Sequence, residues 1–229
     1  METDVLVPIE SNPEVMTKFL QKLGVPPDWS ILDVIGLDAL SLSWVPRPVI
    51  SVLLLYPISA SSEEHKKKEE SEILSKGQEI SSNVFYMKQC LSNVCGTIAL
   101  VHSVANNLDK IQLADGYLKK FLDEARTLDP DERGILFTKS ANIINAHKEL
   151  AEEGQTNSSP EDLVNHHFIA FVHKDGMLYE LDGNKAFPIN HGPTTAENLL
   201  EDAAKICMEF INRDPDEVRF TVMVLSEYE

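Results

Sequence analysis

The chain has 229 residues, 43% hydrophobic and 7% aromatic, enough to fill the core of one large domain or two small ones. Its 37 acidic residues against 20 basic ones leave a net charge of −17, a field that repels phosphate backbones and anionic headgroups, so neither nucleic acid nor a membrane is an expected partner and basic ligands are favoured. No signal-peptide pattern opens the chain, its longest apolar run is far shorter than a bilayer span, and its 3 cysteines form a poor disulfide framework, so a reducing, cytoplasmic setting is expected.

Taken in chain order, Ser11-Asn12-Pro13-Glu14 is a helix start, with a capping side chain, an early proline and a first-turn carboxylate. Val15, Met16, Phe19, Leu20 and Leu23 form its apolar stripe, and Gly24 ends it. Ile31 to Ile35 and Val49 to Tyr56 are rich in β-formers; the second is apolar on both faces, as a strand in the middle of a sheet must be. Residues 59–78 are dominated by charge and small polar side chains, which predicts a solvated loop or an exposed helix, with Lys66-Lys67-Lys68 on the surface.

A helix is predicted from Cys95 to about Asn106, and helical patterns follow over Tyr117–Leu128 and from Pro130 to about Glu153. Glu152 to Asn165 lacks periodicity and collects Gly, Ser, Asn and Pro, as a surface loop does. Phe168–Val172 and Met177–Leu181 flank a turn at His173-Lys174-Asp175-Gly176 and predict a hairpin. Thr194 with Glu197 has the spacing of a capping box for a helix carrying Leu199 to Phe210, and Val218–Leu225 is a last strand. With no repeat and no composition break, one mixed α/β domain over residues 1–229 is expected.

Gln89 stands six residues before Cys95, which opens an apolar helix. A helix N-terminus supplies unpaired N–H groups and positive partial charge, both of which favour thiolate over thiol. The Gln89 amide and the Cys95 N–H are suited to hold an oxyanion, and Gly96 leaves the backbone approachable. The competing reading makes Cys95 a small buried hydrophobe, and the Gln-to-Cys spacing alone leaves the two evenly balanced.

A thiolate enzyme also needs a base, and the chain has 7 histidines. If Lys174-Asp175 is the hairpin turn, His167 lies opposite Asp182; if Asp175-Gly176 is, Asp182 is its diagonal neighbour on the same face; a three-residue loop separates them. Two of these three registers build a pair in which Asp182 orients the His167 imidazole. His65 and His147 are expected in exposed polar segments, His173 at the turn, His191 in a Pro/Gly-rich loop, His102 two turns from Cys95, and His166 on the face opposite His167. No Cys/His pairs have zinc-finger spacing, so no metal is expected.

MKQCLSNVCGTIALVHSVANN, HHFIAFVHKDGMLYELDG and FPINHG, with PIESNPEV, DVIGLD and VPRPV upstream, resemble the motifs of the ubiquitin C-terminal hydrolases, the short single-domain members in particular. The resemblance covers essentially the whole chain. It implies a papain-like α/β fold, with a central antiparallel sheet between helical lobes and a knotted backbone. It implies Cys95 as nucleophile, His167 as general base and acid, Asp182 as its orienting partner, Gln89 as oxyanion donor, and no cofactor. It also implies a loop crossing above the site, over about His147 to His166. Cys90 and Ala99 depart from the family's usual Thr and Gly, outside the catalytic set.

The reaction so implied is cleavage of small adducts, peptides or amides from the C-terminal glycine of ubiquitin through a thioester, by a monomer, with NEDD8 open as a second modifier. The acidic surface suits ubiquitin's arginine-rich tail, with Glu10, Glu14 and Asp33 as candidate contacts. Two alternatives stand beside this reading: a monoubiquitin-sequestering protein with slow turnover, and a general papain-type peptidase.

Overall fold

The structure is a computed structural model that describes residues 6–153 and 165–228. Its centre is a six-stranded antiparallel sheet in the order β1-β6-β2-β3-β4-β5. The strands are β1 (Trp29–Asp33), β2 (Val49–Pro57), β3 (His166–Lys174), β4 (Met177–Leu181), β5 (Ile189–Pro193) and β6 (Thr221–Glu227). As its two-faced apolarity requires, β2 lies inside the sheet, hydrogen-bonded to β6 on one side and β3 on the other.

Alternation of side chains divides the core into two layers. Ile50 and Leu53 of β2, Phe168, Ala170 and Val172 of β3, and Met223 and Leu225 of β6 face one layer. That layer is closed by α1 (Pro13–Lys22), α4 (Cys95–Ala105), α5 (Tyr117–Ala125), α6 (Pro130–Thr138) and α7 (Ala141–Glu152). Val52, Leu54, Ile169, Phe171, Val222 and Val224 face the other, closed chiefly by α8 (Leu199–Asn212) and the short α2 (Ala39–Ser43).

The helix starts follow local chemistry. Asn12 caps α1 by accepting from the N–H groups of Glu14 and Val15, and Asp129 with Glu132 forms a full capping box on α6. The polar stretch after β2 is a helix, α3 (Ala60–Lys76), with a capping box between Ser59 and Ser62 and no buried residue. Charge, not apolar packing, must therefore hold α3 to the body.

Several expectations need correction. Thr194 and Glu197 form no capping box; the Thr194 hydroxyl donates to Asp202 Oδ2 at 2.7 Å, and α8 starts after Asn198 without a side-chain cap. The pattern from Pro130 to Glu153 breaks after Thr138 because Ser140 takes ψ 69°, which turns Phe137 and Ile143 into the core from separate helices. Ile35 and Val218 lie outside strands and are 90% and 86% exposed. Both ends of the loop expected over about 147–166 belong to regular elements, α7 and β3; its middle, 154–164, lies outside the described residues. Among the described residues no helix is long and apolar enough to cross a membrane.

Leu53, fully buried at the centre of the sheet, sets the scale of core stability. Leu53→Ala should lower the unfolding free energy by about 2–5 kcal/mol, read as a lower urea midpoint at unchanged slope; a midpoint within error of wild type would contradict this packing.

Candidate active site

The site is built on α4, where every residue from Cys95 to Val104 is buried. Its far end is fixed by polar contacts inside the core. Asn107 Nδ2 donates to the Ile50 and Ser103 carbonyls at 3.0 and 2.9 Å, and the Ser51 and Ser103 hydroxyls bond at 2.7 Å. Its near end follows Asn93, a non-glycine residue at φ 63° whose Nδ2 donates to the Leu6 carbonyl at 2.8 Å. That left-handed residue turns the chain sharply into the helix, so Cys95 sits on the first turn at the sheet's end. Among the described residues no side-chain hydrogen bond caps α4, which leaves its first-turn N–H groups for other acceptors. Gly96 does not open the backbone to substrate as expected. A Cβ there would stand 3.3 Å from Phe168 Cδ2, so the glycine lets α4 lie close against β3.

Asp175 and Gly176, at φ 49° and 80°, form a two-residue turn that pairs Lys174 with Met177. This is the second of the three registers, with Asp182 diagonal to His167. The two side chains meet: His167 Nε2 lies 2.6 Å from Asp182 Oδ1, with both groups buried. Nε2 being committed to the carboxylate, Nδ1 is the nitrogen left on the ring, and His167 lines the same cleft as Cys95. Tyr56 packs edge-on against the imidazole at 5.8 Å.

These contacts set the charges. Burial pushes the Cys95 thiol up, but the hydrogen bond and charge of His167, with backbone bonds from Phe168 and Gly96, outweigh it and bring the thiol below its ordinary range. Burial likewise disfavours the imidazolium, yet the Asp182 charge and the bonds to Asp182 and Cys95 raise His167 to about 10. Asp182 is held low against its own burial by His167, and more weakly by Lys66 and Lys185. A thiolate–imidazolium pair is the form this environment favours.

Gln89 shares a cleft of about 400 Å³ with Leu91, Asn93, Cys95, His167 and Asn184. Its backbone N–H donates to the Gly183 carbonyl at 2.9 Å, while its side-chain Oε1 is buried without a partner among the described residues. The Nε2 end of the same amide is the donor an oxyanion would need. His166, expected on the opposite face, lines the rim of the same cleft. Glu10, Glu14 and Asp33 do not line it: Glu10 precedes α1, Glu14 is exposed and pairs with Lys18 at 3.0 Å, and Asp33 ends β1.

Four features escape residue-by-residue reading. His102 is buried and accepts the Met87 N–H at 3.0 Å while stacking on Tyr86 at 5.4 Å, which docks the irregular segment leading to Gln89 onto α4. Burial drives His102 down to about 4, so it remains a neutral acceptor. His147 is buried, contrary to expectation, because its two nitrogens find Thr97 Oγ1 and the Val7 carbonyl, each at 2.8 Å. His191 is likewise not in a loop but on β5, 2.9 Å from Glu180. Asn184 donates its N–H to Asp182 Oδ1 at 2.8 Å and places its Nδ2 3.5 Å from His167 Nδ1. The Asp-X-Asn spacing of an Asx turn is the one sequence signal that could have found it.

Comparison with known proteins gives a consistent picture. The sequence profile of ubiquitin carboxyl-terminal hydrolase, family 1, matches residues 6–212. The chain is 51% identical over 219 residues to a ubiquitin carboxyl-terminal hydrolase of Drosophila melanogaster, with 96% of each chain covered. It is 48% identical over 223 residues to the Homo sapiens ubiquitin carboxyl-terminal hydrolase isozyme L1, covering 97% of this chain and 98% of that one. Its fold is similar to the Trichinella spiralis UCH37 catalytic domain bound to ubiquitin vinyl methyl ester, at TM-score 0.76 and 26% identity over 97% of this chain and 95% of that one.

Asp182→Asn removes the charge that opposes burial of the imidazolium, so the His167 titration midpoint should fall from about 10 toward ~6.5, followed by nitrogen-15 NMR of the ring. A raised folded-state value stabilises the fold fully below the unfolded imidazole's ~6.5 and ceases to as pH rises through about 10. The stability gap between wild type and Asp182→Asn should therefore narrow across that window. An unmoved midpoint would show that Asp182 does not set the imidazole's charge.

Proposed function

The chain belongs to the ubiquitin carboxyl-terminal hydrolase family, and on that premise we propose that Cys95, His167, Asp182 and Gln89 carry out its reaction within a single catalytic domain. The protein is a papain-like cysteine hydrolase, a deubiquitinase. The observation that carries the residue assignment is the 2.6 Å His167–Asp182 bond beside Cys95, at the head of a helix whose first turn has no side-chain cap.

In the proposed cycle the Cys95 thiolate attacks the carbonyl carbon of ubiquitin's C-terminal glycine. The oxyanion is received by the Cys95 N–H and the Gln89 side-chain amide. As the tetrahedral adduct collapses, the His167 imidazolium protonates the departing amine and the thioester remains. Neutral His167 then takes a proton from water and becomes the imidazolium, the hydroxide attacks the thioester carbonyl, and collapse of the adduct expels the Cys95 thiolate beside that imidazolium and releases the carboxylic acid, which gives its proton to solvent. Asp182 keeps the ring in place through both halves.

Ubiquitin is the proposed partner, acted on by a single copy of the chain in the cytoplasm, with NEDD8 as a second modifier. The net charge of −17 favours approach of a basic tail, and Glu10, Glu14 and Asp33 are proposed to act there through this long-range field. A sequestering protein with slow turnover has no need of an imidazole held by a buried carboxylate in the cleft that also holds the thiol, and that arrangement favours hydrolysis.

Ubiquitin carrying a C-terminal electrophile should form a covalent adduct with wild type, Cys90→Ser and Cys207→Ser, and none with Cys95→Ser, by intact mass spectrometry. Labelling that persists in Cys95→Ser would move the nucleophile elsewhere. The adduct-forming rate should also drop as ionic strength rises, because the Debye length shrinks to about 8 Å at physiological salt; a flat response would remove steering from the account.

A further inference from the structure

Between β4 and β5 the chain crosses residues 182–188 without regular structure, and this connection begins with Asp182. The turn is heavily tied. The Lys185 N–H donates to the Asp182 carbonyl at 2.9 Å. Tyr86 Oη stands 2.7 Å from the Asp182 carbonyl and 2.6 Å from that of Lys185, sharing one proton between them. These contacts fix the turn's shape and, through Tyr86 and the Gln89 N–H on the Gly183 carbonyl, tie one side of it to the segment before α4.

Charge ties its other side to α3 and β4. Lys185 is 3% exposed, and its Nζ lies 2.5 Å from Glu180 Oε1 and 2.5 Å from Glu69 Oε2. Glu180 is 1% exposed, stands on β4 two residues before Asp182, and gives its other oxygen to His191 Nε2 at 2.9 Å. Glu69 belongs to α3, the helix with no buried residue, and its neighbour Glu70 accepts the Ala186 N–H at 2.8 Å. Burial works against both charges, yet mutual attraction holds Lys185 above and Glu180 below their ordinary ranges, so both stay ionised.

A buried ion pair of this kind is an inefficient source of stability, because apolar side chains of similar volume serve as well. What it supplies is a fixed position with directional contacts. Here the fixed groups bracket Asp182 on both sides in sequence. Lys185 does not line the cleft that holds Cys95, so it has no direct path to the reacting atoms.

We propose that Lys185 is a positioning residue for the hydrolysis: its ammonium, held between Glu180 and Glu69, fixes the 182–185 turn and with it the carboxylate that orients His167. The inference rests on the reading of Cys95, His167 and Asp182 as the catalytic triad. It gives α3 a role as the outer anchor of that turn.

The test uses the full chain and a fluorogenic C-terminal amide of ubiquitin, with kcat and KM measured for a double-mutant cycle. Lys185→Met should lower kcat on the order of tenfold, as small misplacements of catalytic groups do, with KM unchanged. In the Asp182→Asn background the same substitution should have no further effect. An undiminished kcat, or an equal loss in both backgrounds, overturns the proposal, since a residue that merely stabilises the fold has no reason to need Asp182.

If Lys185→Met does not fold, Glu69→Gln takes its place in the cycle. That side chain is partly exposed, and its loss leaves the Lys185–Glu180 pair intact. A smaller kcat loss confined to the Asp182 background supports the proposal, and a wild-type kcat overturns it. Failure of the underlying triad looks different: Asp182→Asn would itself turn over at the wild-type rate, and the role of Lys185 would fall with it.

Discussion

The structure depends on a helix with no exposed face. From Cys95 to Val104 every residue of α4 is buried, packed between the central sheet and the helices on one side of it. Such a helix cannot slide or rotate without opening apolar surface on all sides, at ~25 cal/mol per Å² exposed. The sulfur at its first turn thus inherits the rigidity of the whole core. Gly96 contributes by letting α4 approach β3, the strand that carries His167. Proximity of the Cys95 thiol and the His167 imidazole is a consequence of packing before it is one of chemistry.

Electrostatics then converts that placement into reactivity. A buried thiol and a buried imidazole would each be neutral if isolated. Asp182, fully buried and itself held ionised, reverses the imidazole's preference, and the imidazolium in turn lowers the thiol. The chain of dependence runs from the Asp182 turn to His167 to Cys95, so what fixes that turn matters as much as the triad. Tyr86, Gly183 and the Glu180–Lys185–Glu69 group all bear on it, and two of these contacts join residues about a hundred positions apart.

That separation explains which features were legible in the sequence. Continuous apolarity marks β2 and α4, and alternation marks the β3–β4 hairpin, because those patterns are local. The hairpin register stayed open between alternatives until the left-handed Asp175 and Gly176 fixed it. The His147 environment was misread because its neighbours in sequence are polar, whereas its partners, Thr97 and Val7, come from elsewhere in the chain. Thr194 likewise followed a tertiary partner, Asp202, over the local capping pattern. The pairing of Lys185 with Glu69 leaves no periodic trace. Family resemblance supplied what spacing lacked, namely the substrate class, while Glu10, Glu14 and Asp33 were chosen by charge alone and lie apart from the cleft.

The central claim is that His167, held by Asp182, lowers the Cys95 thiol below its ordinary range. Thiolate absorbance near 240 nm, taken as the difference between wild type and Cys95→Ser across a pH titration, tests it most directly. The account predicts a thiolate signal that emerges below the ~8.5 of a free cysteine and moves to higher pH when His167 is replaced by alanine. A signal that emerges only at or above the ordinary thiol range, or one indifferent to His167, would contradict it.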